Sequence, residues 1–302
     1  MNWSSALRRI FILSVKIVIY SIHLYNHQGE YHMNNEHTNS VFQSIRGFFG
    51  IMAGHPGSVL IDGPPGTCLI TGIKHFQMNG IFRNALGGDE GDGAVEEALA
   101  PFLEREMPFI WWMSPPGSPA DMADRLMKKG LSLGGDCAGM SLDLAGWRVE
   151  ENSTTGVLLR EVESRKVLDD FTIPLGTAFE LPDFVVDAFT GIADKVGYGA
   201  EKPWRHFIAT VEGRPAASAS LMLQGSIASI WNVATLPELR RRGIGTAVTA
   251  KALREAKRAG CTRAVLISSS MGLGAYKCLG FRECCTISQF IFDPASNHKT
   301  LH

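Results

Sequence analysis

Strands and helices alternate along this chain in an α/β (α+β) pattern, and three stretches carry that expectation. An apolar run over residues 228–233 leads through a glycine-containing loop into an amphipathic helix over 246–259, which Gly260 stops, and then into a second apolar run over 263–269. Upstream, runs over 207–211 and 216–223 flank Glu212-Gly213-Arg214-Pro215, a hairpin turn. Near the start, Val59-Leu60-Ile61 and Cys68-Leu69-Ile70 flank Gly63-Pro64-Pro65-Gly66, again two strands and a turn.

The remaining elements fall between these. Residues 87–93 form a polar glycine loop whose acidic side chains lack the ligand spacing of a calcium loop. A helix is predicted over 94–106, a buried strand over 109–113, a turn over 114–119, and a helix over 121–129 that Gly130 ends. A second unit opens with a strand over 157–162 and a helical pattern over 182–199, and closes with a strand over 286–292. The domain expectation is an N-terminal extension (1–32), a first domain (33–150), a second domain (155–293) and a tail (294–302). With 302 residues the chain accommodates two domains of about 150 residues each.

Bulk properties exclude several classes. Hydrophobic content of 45% and charged content of 20% describe an ordinary globular protein. A net charge of -1 gives no nucleic-acid footprint. The 6 cysteines show no C-x-x-C spacing and no companion histidine cluster, so no metal site is expected and the thiols read as those of a reducing cytoplasm. Residues 10–25 are apolar and follow Arg8-Arg9, yet contain Lys16 and His23 and fall short of the ~20 residues a spanning helix needs. Membrane association, an uncleaved signal and an extension upstream of a start at Met33 all fit; the last is favoured, with residues 33–40 as a soluble terminus.

The chemistry concentrates in Thr235-Leu-Pro-Glu-Leu-Arg240-Arg241-Arg242-Gly243-Ile244-Gly245. A helix N-terminus presents unpaired N–H groups and the positive end of a dipole, and glycines there let a phosphate approach. A Walker loop is excluded because Thr246-Ala247 follows Gly245 with no lysine. A dinucleotide fingerprint is disfavoured because Val248 stands where the third glycine belongs, and the next strand ends in serines with no acidic residue. A phosphorylated cofactor of another kind remains.

Arg240-x-x-Gly243-x-Gly245 between strand and helix, followed after a further strand by Tyr276-x-x-x-Gly280-Phe281, resembles the GNAT superfamily of N-acetyltransferases. The resemblance covers about residues 157–293 and implies a mixed central sheet flanked by helices. Trp111-Trp112-x-x-Pro115-Pro116 and the Lys-Lys-Gly-Leu that follows resemble the front half of tandem acetyltransferases, implying a second, N-terminal GNAT-like unit without the cofactor loop. The cofactor implied is acetyl-CoA as co-substrate, with no metal; the partner implied is a small-molecule or peptide amine, with no nucleic acid and no membrane. Nothing in the sequence fixes the oligomeric state.

By that resemblance, the backbone N–H groups of Arg241, Arg242, Gly243, Ile244, Gly245 and Thr246 hold the CoA diphosphate, with Arg240–Arg242 adding charge. Val233 and Thr235 meet the acetyl carbonyl and pantetheine, and Ser269 ends the neighbouring strand where a polar group can face the pantetheine arm. Tyr276 is the candidate acid toward the leaving sulfur, since a phenol with a pKa near ~10 is protonated at neutral pH; packing beside Phe281 is its plain alternative. The strand before the loop contains no carboxylate, and Asn232 can orient a water but not take its proton. Two functions follow: acetyl transfer to an amine, or a non-catalytic acyl-CoA sensor. Adjacent strand residues face opposite ways, so of Trp111 and Trp112 one is expected in the core, and of Cys284 and Cys285 at most one can enter a site.

Overall fold

The computed structural model describes residues 36–63, 66–83, 92–114, 118, 121–148 and 156–297. Their first half runs α1 (Glu36–Met52), β1 (Val59–Gly63), β2 (Gly66–Ile70), a 3-10 turn (Phe76–Met78), β3 (Gly80–Arg83), α2 (Asp92–Leu103), β4 (Phe109–Met113), α3 (Met122–Lys128) and β5 (Ser132–Asp143). The second runs β6 (Val157–Glu161), α4 (Arg165–Ala178), α5 (Asp183–Val196), β7 (Trp204–Val211), β8 (Arg214–Gln224), β9 (Ile227–Thr235), a 3-10 turn (Pro237–Leu239), α6 (Ile244–Arg258), β10 (Arg263–Ser268), α7 (Leu273–Cys278), β11 (Arg282–Phe292) and α8 (Pro294–Asn297).

The two halves repeat one plan. Each contains a three-stranded antiparallel meander (β1-β2-β3; β7-β8-β9), then a helix, then a strand parallel to the third (β4; β10), then a short helix and a long strand. The long strands are exchanged. β11 lies between β4 and β5, and β5 lies between β11 and β10, so a single mixed 11-stranded sheet reads β1-β2-β3-β4-β11-β5-β10-β9-β8-β7-β6. The cores follow the exchange. Phe290 of β11 packs with Phe102, Phe109 and Trp111, whereas Met140 and Leu142 of β5 pack with Phe207, Leu221 and Leu253.

α6 is amphipathic in the expected register, burying Val248, Ala252, Leu253 and Ala256 against β7–β9. An ion network pins it there: Arg205 on β7 grips Glu161 with Nε–Oε1 2.7 Å and Nη2–Oε2 2.6 Å, and Glu255 of α6 stands 3.2 Å from the same Nη2. Both predicted hairpins form, the second turning through Glu212 and Gly213 at φ 50° and 76°.

Several expectations are corrected. The helix expected over 94–106 spans Asp92–Leu103. Residues 36–40, read as part of a polar terminus, begin α1, whose Val41, Phe42, Ile45 and Phe49 are buried. Cys284 and Cys285 do not alternate cleanly, because a bulge between Glu283 and Cys285 breaks the two-residue period. Cys284 Sγ stands 3.4 Å from the Gly139 carbonyl oxygen, and a Cβ on Gly139 would meet Cys285 Sγ at 2.3 Å, so both sulfurs lie against the same β5 residue. The apolar run over 10–25, the Pro64-Pro65 turn and most of the 87–93 loop lie outside the described residues. Among the described residues, no helix is long and apolar enough to cross a membrane.

Candidate functional site

Two local defects open the sheet at one place. β9 pairs with β10 from Ile227/Arg263 only as far as Ile230/Leu266, although β10 stays paired with β5 through Ser268. On its other side β9 bulges: Ser218 faces Ala234 and Ser220 faces Trp231, so Asn232 and Val233 oppose Ala219 alone. Asn232 takes the left-handed conformation that makes this possible, at φ 54°. Its side-chain amide donates to Ser220 Oγ (3.1 Å), and its backbone oxygen accepts from Ser218 Oγ (3.0 Å). Beneath it, Ser220 Oγ lies 2.8 Å from Nδ1 of His206, a histidine that burial holds down at about 3 and therefore neutral.

The loop that follows is shaped for an anion. Arg241 (φ 61°) and Gly243 (φ 75°) are both left-handed, and Gly243 caps α6 in that conformation. Alternation of left- and right-handed residues turns successive N–H groups toward one concavity, on top of the positive helix end. The two glycines serve different ends. Gly243 is set by its positive φ, whereas a Cβ on Gly245 would stand 2.9 Å from Thr235 Oγ1, so Gly245 permits the close passage of α6 over β9. Arg240 folds back, its Nε donating to the Thr235 carbonyl at 3.2 Å.

Splay and loop open into one cavity of about 1000 Å³. Of the residues singled out in the sequence, Asn232, Val233, Thr235, Arg240, Arg241, Gly243, Ile244, Gly245, Thr246, Ser269 and Tyr276 line it. Arg242 is exposed on the same turn and does not line the wall. Tyr276 sits on α7, edge-on to Phe281 at 6.1 Å, so the packing role and the place in the cavity coexist. Burial pushes its phenol up to about 12, which keeps the proton available for donation at neutral pH. Gly272 makes room for the ring: a Cβ there would meet Tyr276 Cε2 at 2.8 Å. Ser268 turns inward, its hydroxyl donating to the Ser269 carbonyl (2.7 Å).

The far wall was largely missed in the sequence. Trp231, Phe48, Phe76 and Cys137 line it from four separate elements, and Trp112 faces it while Trp111 is buried in the core. Only Trp112 carried a signal, through its pairing with Trp111. No group of three or more His, Cys, Asp or Glu fit to hold a metal occurs among the described residues.

The family model described as Acetyltransferase (GNAT) family matches residues 179–281, a span that contains the bulge, the loop, α6 and Tyr276. The chain carries a GNAT domain. Solved structures similar to it extend the likeness in fold beyond that domain. A GCN5-related N-acetyltransferase from Kribbella flavida is 18% identical at a TM-score of 0.65, over 87% of this chain and 96% of its own. A GCN5-related N-acetyltransferase from Sphaerobacter thermophilus is 14% identical at 0.57, over 77% and 82%. A tandem GNAT protein from the clavulanic acid biosynthesis pathway is 15% identical at 0.51, over 80% and 87%. No curated protein matches the chain. The GNAT domain places the chemistry of this chain within acyl transfer.

Proposed function

We propose that the protein moves an acetyl group from acetyl-CoA to an amine by direct attack of the nitrogen on the thioester. The observation that carries this reading is the joining of loop, splayed strand and Tyr276 in one cavity. The loop amides and Arg240 and Arg241 receive the diphosphate. The open edge of β9 at Val233 and Thr235 offers the pantetheine arm the strand-like pairing that β10 has relinquished, and Ser269 borders it. Asn232 is a positioning residue that holds the bulge and orients a water. Tyr276 returns a proton to the departing sulfur. Arg242 contributes long-range charge at the loop surface.

The N-terminal half is read as a GNAT-like unit without the acyl-CoA loop, the units being 33–150 and 155–293 with a tail over 294–302. The repeated strand order supports that division. A cytoplasmic enzyme acting on a small-molecule or peptide amine completes the proposal. Calorimetric titration with acetyl-CoA, alongside thiol release across an amine panel, tests it. Absence of binding would sink the reading. Binding without thiol release from any amine would identify an acyl-CoA sensor instead.

A further inference from the structure

Beyond Asn232 the cavity changes character. Its floor is one face of β9, β10, β5, β11 and β4, so the acceptor end is walled by the N-terminal half. Phe48 of α1 stacks on Trp231 at 4.3 Å and 12°, and Trp112 of β4 stands edge-on to the same indole at 6.5 Å and 68°. Phe179 and Met271 also line the cavity, yet are 44% and 75% exposed, which gives the rim an apolar surface. Among the described lining residues the charged side chains are Arg240 and Arg241, both at the loop, and no carboxylate is present. The other titratable groups are Tyr276 and Cys137, whose thiol burial pushes up. Behind Phe76, at 4.7 Å between rings, His75 is held below its usual range by its own burial and brings no negative charge.

Such a wall discriminates by solvation. An ammonium entering it would shed water without gaining a counter-charge, and a second cationic centre would repeat that cost. An aromatic or aliphatic body gains from the same transfer, and desolvation favours the amine over the ammonium. We infer that the acceptor is a monoamine on an aromatic or otherwise apolar body, and that it enters unprotonated. This rests on the acetyl-transfer reading above and explains why the strand before the loop needs no carboxylate base. The nitrogen lone pair forms the C–N bond, the C–S bond breaks, and Tyr276 gives its proton to the sulfur. The proton released by the acylated nitrogen restores the phenol, so the exchange is balanced without a co-reactant.

The test is thiol release from acetyl-CoA with 2-phenylethylamine and tryptamine against spermidine and lysine. The expected kcat/KM is about 100-fold higher for the aromatic amines, as one uncompensated buried charge would give. Equal or better turnover of spermidine or lysine overturns the inference, and so does faster reaction of 2-phenylethylamine with hexanoyl-CoA than with acetyl-CoA, which would assign the apolar end to the acyl chain. Acetyl-CoA binding by calorimetry separates the two levels. Binding with no aromatic amine acetylated overturns this inference alone, and no binding overturns the reading beneath it. Trp112→Ala is expected to raise KM for 2-phenylethylamine about tenfold, with Trp112→Phe restoring most of it and acetyl-CoA affinity unchanged in both. An unchanged KM would remove the aromatic wall from the argument.

Discussion

The two halves of the sheet share one strand–helix–strand crossover and differ in what surrounds it. In the N-terminal half β3 and β4 stay paired from Gly80/Ile110 to Arg83/Met113, the last residue of each strand, and β2–β3 has no register shift. In the C-terminal half the corresponding pair parts after Ile230/Leu266, and β8–β9 carries the Asn232 bulge. The connecting sequences also oppose each other in charge, Asp89-Glu90-Gly91-Asp92 against Arg240-Arg241-Arg242. A crossover alone is therefore not a binding site. An open strand edge, a concave run of amides and the right sign of charge must coincide, and only the second crossover combines an open edge with basic charge.

The comparison can be broken in graded steps. Arg241→Glu with Arg242→Glu gives the second loop the sign of the first; acetyl-CoA affinity measured by calorimetry is expected to fall about 10³-fold, from two charge-assisted contacts of roughly 2 kcal/mol each. Tyr276→Phe should lower kcat about 100-fold and leave acetyl-CoA affinity in place, since only proton return is lost. Gly245→Ala places a methyl against Thr235 Oγ1 and should weaken acetyl-CoA binding about tenfold with a comparable loss in thermal stability.

A pH experiment sharpens the role of the bulge. His206 is neutral when folded, with a pKa of about 3 against 6.5 ordinarily, so protonation favours the unfolded chain. Its contribution is complete above pH 6.5 and declines as pH falls toward 3, at up to about 1.4 kcal/mol per pH unit. Urea unfolding at pH 7 and pH 5 should show a steeper loss for the wild type than for His206→Gln. The smallest expected effect is a null one. Asp89→Lys with Glu90→Lys should leave acetyl-CoA stoichiometry at one, because charge without an open strand edge makes no second site. A second equivalent bound would show that charge alone decides.

Legibility in the sequence followed the range of the interactions involved. The hairpins, α6 and the glycine loop are written in consecutive residues, and each was readable from turn chemistry or helical period. α4 was not, with Pro174 inside it, and α1 was not, because its first turn is polar. β5 contains Gly134, Gly135 and Gly139 and resembles a loop when read alone. The structure gives the reason for two of these: a Cβ on Gly134 would meet Ile291 Cδ1 at 2.7 Å, and one on Gly139 would meet Cys285 Sγ. Those glycines record a neighbour about 150 residues downstream, which periodicity cannot reveal. The same limit applies to the site. The phosphate end is local and was legible, whereas the acceptor wall is assembled from α1, β4 and β9 and was not.

The exchanged long strands bear on how the chain reaches this state. Until residues 282–292 leave the ribosome, β4 and β5 each present a bare edge, and neither half can finish its own sheet. Closure is thus expected to be late and highly non-local, a slow step during which nascent molecules are most at risk of pairing with one another. A fragment holding only the second half would expose β10 along the edge that β5 normally covers, and its natural remedy is to borrow a strand from another copy of itself.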